Sequence, residues 1–240
     1  MEPGVDLRKY YENWAEIQNF EELPAYDQIA IRRRAEVLAD LVVVPDGANI
    51  LDVGCGEGIQ MAVIETKRCL RRSHLIGIDI AFGRLQRSYQ RVRAGMFGTA
   101  STYHLPFRGN RIDCIICAEV LEHLPRLDLG VQEMYRVLKS GGKLIISVPF
   151  EQKIGITVCI HCGKPTPAGG HLHSFDANRL RSILEEAGFI VERCRGIIYA
   201  VPFFAWLPYQ WWKHAQVVLK LRYRRPKYLL AVAVKPFGSD

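Results

Sequence analysis

The stretch ILDVGCGEG at residues 50–58 leaves this chain few folds to choose from. An apolar run of strand length ends in glycines at 54, 56 and 58, and a helical pattern follows. Strand, glycine turn and helix in that order open a βαβ unit. Glycine at such a turn lets the backbone approach a ligand in conformations that a side chain forbids. The theme recurs downstream, where ANILDV, HLIGID, RIDCIICA and KLIISVPF alternate with AFGRLQRSYQRVRAG and LGVQEMYRVLKSGG. Such alternation predicts a parallel sheet covered by helices. Gly95, the pair Gly141 and Gly142, and Gly188 each follow a run of helix formers, where left-handed caps are expected. Residues 7–43 read as two helices ahead of the first strand. Residues 150–174 show no clear period, and a helix capped by Asp176 is expected from Phe175 to Ala187.

Asp79 closes the second apolar run, HLIGID, where a carboxylate can accept two hydrogen bonds from a ribose. A nicotinamide site would space its glycines one residue wider and hold a phosphate at the helix start. Here Asp52 and Glu57 flank the glycines and would repel a pyrophosphate, so an uncharged or cationic nucleoside fits better.

Together, "LDVGCGEG", "GIDI", "HLPF" and "AEVLEHL", in that order between residues 51 and 124, resemble the S-adenosylmethionine-dependent methyltransferases of the Rossmann-like class. YYENWA and GGKLIISVP extend the likeness to about residue 150. The resemblance implies a doubly wound α/β fold: a seven-stranded, mostly parallel sheet with an antiparallel last strand and helices on both faces. It implies a helical cap over 1–46 and a Rossmann-like domain over 47–240, with insertions at 150–174 and 200–227. It further implies that Asp52, Gly54, Cys55 and Gly56 cradle the amino acid part of the cofactor and that Asp79 holds the ribose. Ala118 and Glu119 would line the methionine side, and Leu105 would lie near the adenine. Many relatives carry an aspartate where this chain has Ser101, which can hydrogen-bond the adenine without charge assistance. The sulfonium already activates the methyl group, so a general base is needed only for a protonated acceptor. His123 and His104 are the catalytic candidates, while Glu122 and His123 can equally form the polar face of a short helix.

The insertion carries Cys159-Ile-His-Cys162-Gly, spaced like a zinc-ribbon knuckle, followed by His171 and His173. Two sulfurs and two imidazoles would complete a closed, structural zinc site, with the fourth ligand open between His173 and another group. A redox pair would sit at a helix start, which Gly163-Lys-Pro-Thr-Pro forbids. Buried structural thiols, the reading for Cys114 and Cys117, and a loop with accidental cysteines and histidines are the alternatives. If metal is held there, the knuckle pins a loop that roofs the acceptor pocket.

Charge is uneven along the chain: of a net +7, residues 193–239 contribute nine Lys and Arg and no acid. The segment 200–227 combines this basicity with tryptophans, and its apolar stretch is too short to span a bilayer. A helix from Pro208 would set Trp211, Trp212, Ala215, Val218 and Leu219 on one face. That face suits a membrane surface, the protein's own core, or an RNA or protein partner. Seven cysteines, mostly isolated, and a polar start without a leader pattern point to a cytoplasmic protein, peripherally associated if the tail meets a membrane. The leading expectation is methyl transfer from S-adenosylmethionine to a small-molecule or lipid-linked acceptor. An RNA methyltransferase and a non-catalytic cofactor-binding scaffold are the alternatives, the former lacking an Asn-Pro-Pro-Tyr-like motif after the fourth strand.

Overall fold

The computed structural model describes residues 7–17, 19–67, 72–159, 163–198, 207–208, 210–211 and 226–238. In chain order the elements are α1 (Leu7–Ile17), α2 (Ala25–Ala39), β1 (Asn49–Val53), α3 (Ile59–Glu65), β2 (His74–Asp79), α4 (Phe82–Arg91), β3 (Gly95–Thr99) and β4 (Ile112–Ala118). Then come α5 (Leu127–Val137), β5 (Leu138–Pro149), β6 (Ile156–Val158), β7 (Pro165–Pro167), α6 (Ala177–Glu186), β8 (Ile190–Ile197) and β9 (Tyr228–Val234). Seven strands form one sheet in the order β3-β2-β1-β4-β5-β9-β8. β9, the last in sequence, runs antiparallel to both neighbours, and the pairings from β3 through β5 are parallel. Fold class and topology are therefore those expected.

The four apolar runs became β1, β2, β4 and β5 because strands covered on both faces need apolar side chains on both. Alternate residues serve two cores. Leu51, Val53, Ile115, Cys117, Leu144 and Ile146 face Met134 of α5 and Leu180 and Leu184 of α6. Ile50, Cys114, Ile116 and Ile145 face Leu38 of α2 and Met61 and Ile64 of α3. Cys114 and Cys117 are fully buried within these layers, as expected of structural thiols.

The expected glycine caps are only partly present. Gly188, with φ 97°, follows α6 in left-handed conformation. Gly141, with φ 75°, lies inside the first residues of β5, because Val137 passes directly into that strand. Gly95 caps nothing: it opens β3, an edge strand that apolar patterning misses because most of its residues are exposed. Asp176 does cap α6, accepting the Arg179 N–H at 2.8 Å.

The insertion after β5 is a hairpin of β6 and β7 followed by a short 3-10 turn at Ala168–Gly170. The proposed Pro208 helix and most of 200–227 lie outside the described residues. Among the described residues no helix is long and apolar enough to cross a membrane.

The sheet order reverses direction beside β1, so the ends of β1 and β4 flank a crevice of the kind that holds ligands in open α/β sheets. The N-terminal helices lie against it. Glu12 of α1 accepts the Phe82 and Gly83 N–H groups at 2.9 and 3.2 Å, capping α4 from a distant part of the chain. Arg87 donates to the Ala15 carbonyl at 2.7 Å. Glu12→Ala is expected to cost about 1 kcal/mol, the worth of a helix cap. The loss should be confined to α1, raising hydrogen exchange over residues 8–17 and leaving β4 and β5 protection unchanged. Uniform loss of protection would show that α1 is not a separable flap.

Candidate functional site

Three left-handed glycines shape the loop after β1: Gly54, Gly56 and Gly58, with φ of 72°, 53° and 75°. The loop is tied down on all sides. The N–H groups of Gly54 and Cys55 donate to the Ile78 carbonyl at 2.8 and 2.9 Å. Asp79 accepts the Gly56 and Ala81 N–H groups, each at 2.9 Å, and Ser88 Oγ donates to the Gly56 carbonyl at 2.8 Å.

Two cavities open over this loop. One, of about 230 Å³, is lined by Asp52, Gly54, Cys55, Arg84 and Ala118 among others. The second, of about 220 Å³, takes Asp79, Ser101, Tyr103, Glu119 and His123. Gly54 and Arg84 line both, so the two are halves of one cleft. A third, of about 490 Å³, meets the second at Glu119 and is lined by Phe150, Gln152, His171, Lys227 and Tyr228.

Arg34 and Arg84 line the cleft, yet neither Asp52 nor Asp79 forms an ion pair among the described residues. Asp52 is 2% exposed, and its Oδ2 has no partner among the described residues. Burial, then repulsion from Asp79, pushes its carboxyl up to about 8, against the pull of Arg34. Burial also raises Asp79, with Arg84 and the backbone N–H groups opposing. The Cys55 thiol is held well above its ordinary range by burial and by the same two acids. Glu119 adopts φ 57°, a strained conformation for a residue with a side chain. Ser147 Oγ donates to it at 2.9 Å and Arg34 lies at 3.7 Å.

Leu105 and His104 line neither half of the cleft, and Glu57 lines the first half only. Glu57 does not present a free anion to the cleft. It accepts the Phe20 N–H at 3.1 Å and pairs with Arg87 and Arg91 at 3.1 and 3.6 Å, fastening the N-terminal segment to α4. Leu105 packs into the main core, 4% exposed, because the turn after Ser101 directs it inward; Ser101, Thr102 and Tyr103 line the cavity instead. His104 sits on that exposed turn, whereas His123 lines the second cavity. Burial, then neighbouring His171, lowers His123 to about 4. Arg84, Tyr103 and Tyr11, which line the second cavity too, carry no signal that patterning detects.

The expected ligand set of Cys159, Cys162, His171 and His173 is not assembled among the described residues. Cys159 stands at the tip of the β6–β7 hairpin, and Cys162 lies outside the described residues. His173 uses both ring nitrogens: Nε2 donates to the Leu124 carbonyl at 2.9 Å, and Nδ1 accepts from Arg179 at 3.3 Å. His171 stacks edge-on against His123, with ring centroids 4.8 Å apart. Of the four, Cys159 at the hairpin tip, His171 and His173 lie within the described residues, and no described group of metal-ligating atoms brings Cys159 to either histidine.

S-adenosylmethionine fits what is present. A glycine cradle without Cβ atoms, an orphaned buried carboxylate at Asp52 and a second carboxylate at Asp79 suit a ligand with an ammonium, a sulfonium and a ribose diol.

A family profile described as "Methyltransferase domain" matches residues 51–146. The mitochondrial ubiquinone biosynthesis O-methyltransferase of Rattus norvegicus is 30% identical over 169 residues, covering 64% of this chain and 47% of that protein. The ubiquinone/menaquinone biosynthesis C-methyltransferase UbiE of Allorhizobium ampelinum is 35% identical over 107 residues, 42% of this chain and 41% of that one. The chain thus spans about half the length of the curated relatives it matches. Among solved structures, a Haloferax volcanii protein assigned as a methyltransferase, in complex with the Trm112 methyltransferase activator, superposes with a TM-score of 0.68 at 19% identity, covering 98% of this chain and 100% of that one. Residues 51–146 thus match a methyltransferase domain, and the chain has the fold of solved structures named as S-adenosylmethionine-dependent methyltransferases.

Proposed function

We propose that this protein transfers a methyl group from S-adenosylmethionine to a small-molecule or lipid-linked acceptor. The observation that carries the reading is the divided cleft over the Gly54 loop, in which buried Asp52 keeps an unpartnered oxygen beside Asp79 and a third cavity adjoins at Glu119.

The cofactor, when bound, supplies an electrophilic methyl group on a sulfonium. The chain's task is then to bind and orient. Asp52 offers its unpartnered oxygen to an ammonium, and Asp79, already fixed by two N–H groups, offers its remaining lone pairs to a diol. Ser101 and Tyr103 border the nucleoside side. Glu119, held by Ser147 and Arg34, borders both the cofactor cleft and the third cavity, which is where an acceptor would enter. His123, kept neutral by burial, can take a proton from an acceptor hydroxyl. Phe150 and Tyr228 give the third cavity apolar walls, and relatives named for ubiquinone and sterol methylation support an apolar acceptor.

The test is to incubate the purified chain and methyl-labelled S-adenosylmethionine with host extract and count label in organic, nucleic-acid and small-solute fractions. Label in the organic or small-solute fraction is expected. Label confined to RNA would replace this reading with an RNA methyltransferase, and bound cofactor with no label anywhere would favour a scaffold.

A further inference from the structure

Where the second and third cavities approach each other, three side chains converge, of which the methyl-transfer reading uses only His123. Glu122, on the 3-10 turn Leu121–His123, is fully buried, and neither of its carboxylate oxygens has a hydrogen-bond partner among the described residues. A carboxylate so placed is costly unless something compensates it. His123 Nε2 lies 4.0 Å from Glu122 Oε1. His171, from the far side of the insertion, completes the group: one ligand atom from each of Glu122, His123 and His171 lies within 4.8 Å of the others.

The hydrogen bonds around the two imidazoles fix their tautomers. A carbonyl oxygen can only accept, so His123 Nδ1, 3.2 Å from the Gly170 carbonyl, must carry the proton. His171 Nδ1, 2.6 Å from Gln152 Oε1, must carry it too. Each ring therefore keeps an Nε2 lone pair, the arrangement that metal-ligating histidines adopt when their other nitrogen donates to a carbonyl or carboxylate. Lys and Arg offer no competing partner within bonding distance of Glu122 among the described residues.

We propose that Glu122, His123 and His171 form a binding site for a divalent first-row transition cation. Two imidazoles and a carboxylate suit Zn²⁺, Fe²⁺ or Mn²⁺ better than Mg²⁺ or Ca²⁺, which favour all-oxygen sets. Three protein ligands leave coordination positions open, unlike a closed structural site. His123 lines the cofactor cleft and His171 the third cavity, so the cation would sit at the boundary between them. This site is separate from the cysteine pair and shares only His171 with the ligand set that the sequence suggests. It does not depend on methyl transfer.

The chain, stripped with a chelator, should be dialysed against Zn²⁺ and, separately, Co²⁺, and bound metal measured by mass spectrometry. One equivalent bound with wild-type protein is expected, with affinity falling at least about tenfold in Glu122→Gln and in His171→Ala. His171 is only partly buried, whereas Glu122 is fully buried, so its variant keeps the fold if Glu122→Gln does not. A Cys159→Ser, Cys162→Ser double variant should retain the metal. The Co²⁺ form should show ligand-field bands without a thiolate charge-transfer band. Loss of metal in the cysteine variant with a thiolate band, retention in both Glu122→Gln and His171→Ala, or no binding by wild-type protein would each overturn the proposal.

Discussion

Asp52→Asn is expected to make the ligand-free protein more stable at neutral pH while removing most of its affinity for S-adenosylmethionine. The carboxyl is buried, its Oδ2 is orphaned, and burial with Asp79 raises it from an ordinary 3.8 to about 8. For an acid raised in the folded state, both states are protonated below the unfolded value and stability is unaffected there. Between about pH 4 and pH 8 the unfolded chain ionises and the folded one does not, so folding loses about 1.4 kcal/mol per pH unit. The amide, which does not titrate, escapes this loss. In urea melts, the advantage of Asp52→Asn over wild type should grow by roughly 3 kcal/mol between pH 5 and pH 7. An advantage that stays constant with pH would show that Asp52 is ionised in the folded chain. On the binding side, a cationic ligand should draw the carboxyl below neutrality. Calorimetry at pH 7 in buffers of differing ionisation enthalpy should then read release of about one proton by wild type and none by the variant, with affinity weaker by about ten- to a hundredfold, the worth of a charge-assisted hydrogen bond. Stability is given up at this position in exchange for binding, a trade common at functional sites.

What could be read in advance follows from how local the cause is. β1, β2, β4 and β5 are legible because burial on both faces demands apolar runs, and Asp52 and Asp79 are legible because they stand at the ends of two of these, next to last in β1 and last in β2. β3 carries two glycines on an exposed edge and leaves no such trace. Leu105 is misplaced for a different reason: an apolar residue after a strand can face a ligand or the core, and only the turn from Ser101 to His104 decides between them. The cysteine and histidine spacing points to one four-ligand site, but Cys162 lies outside the described residues, and among these His171 stands with Glu122 and His123 instead. Glu122 reads as part of the polar face of a short helix, and its burial arises from packing of the turn beneath the backbone of Leu172 and His173, which both donate to the Glu122 carbonyl. Long-range contacts of this kind have no signature within a window of sequence.

Gly54→Ala is expected to damage both stability and cofactor binding, for two reasons that can be separated. With φ at 72° the residue is left-handed, which costs an ordinary side chain about 1–2 kcal/mol. An added Cβ would also stand 2.4 Å from Val120 Cγ2. Valine has little rotamer freedom with which to withdraw, and overpacking of this sort costs about 1–3 kcal/mol. A total loss of roughly 2–5 kcal/mol is therefore expected in chemical denaturation. Because Gly54 and Val120 line the cofactor cleft, relief of the clash must shift the cradle or the segment after β4, so affinity should drop with stability. Val120→Ala in the same chain removes the clash and leaves the backbone strain. The double variant should regain about 1–3 kcal/mol relative to the sum of the single losses, a coupling that a cycle of four proteins measures directly. Gly98→Ala is the matched control: no atom lies within 4 Å of its added Cβ, its φ is not left-handed, and it stands on the β3 edge. Its effect should stay within about 0.5 kcal/mol of wild type or favour folding slightly. Additive losses at 54 and 120 would show that the clash is absorbed elsewhere, and that backbone strain alone makes glycine necessary at the head of this loop.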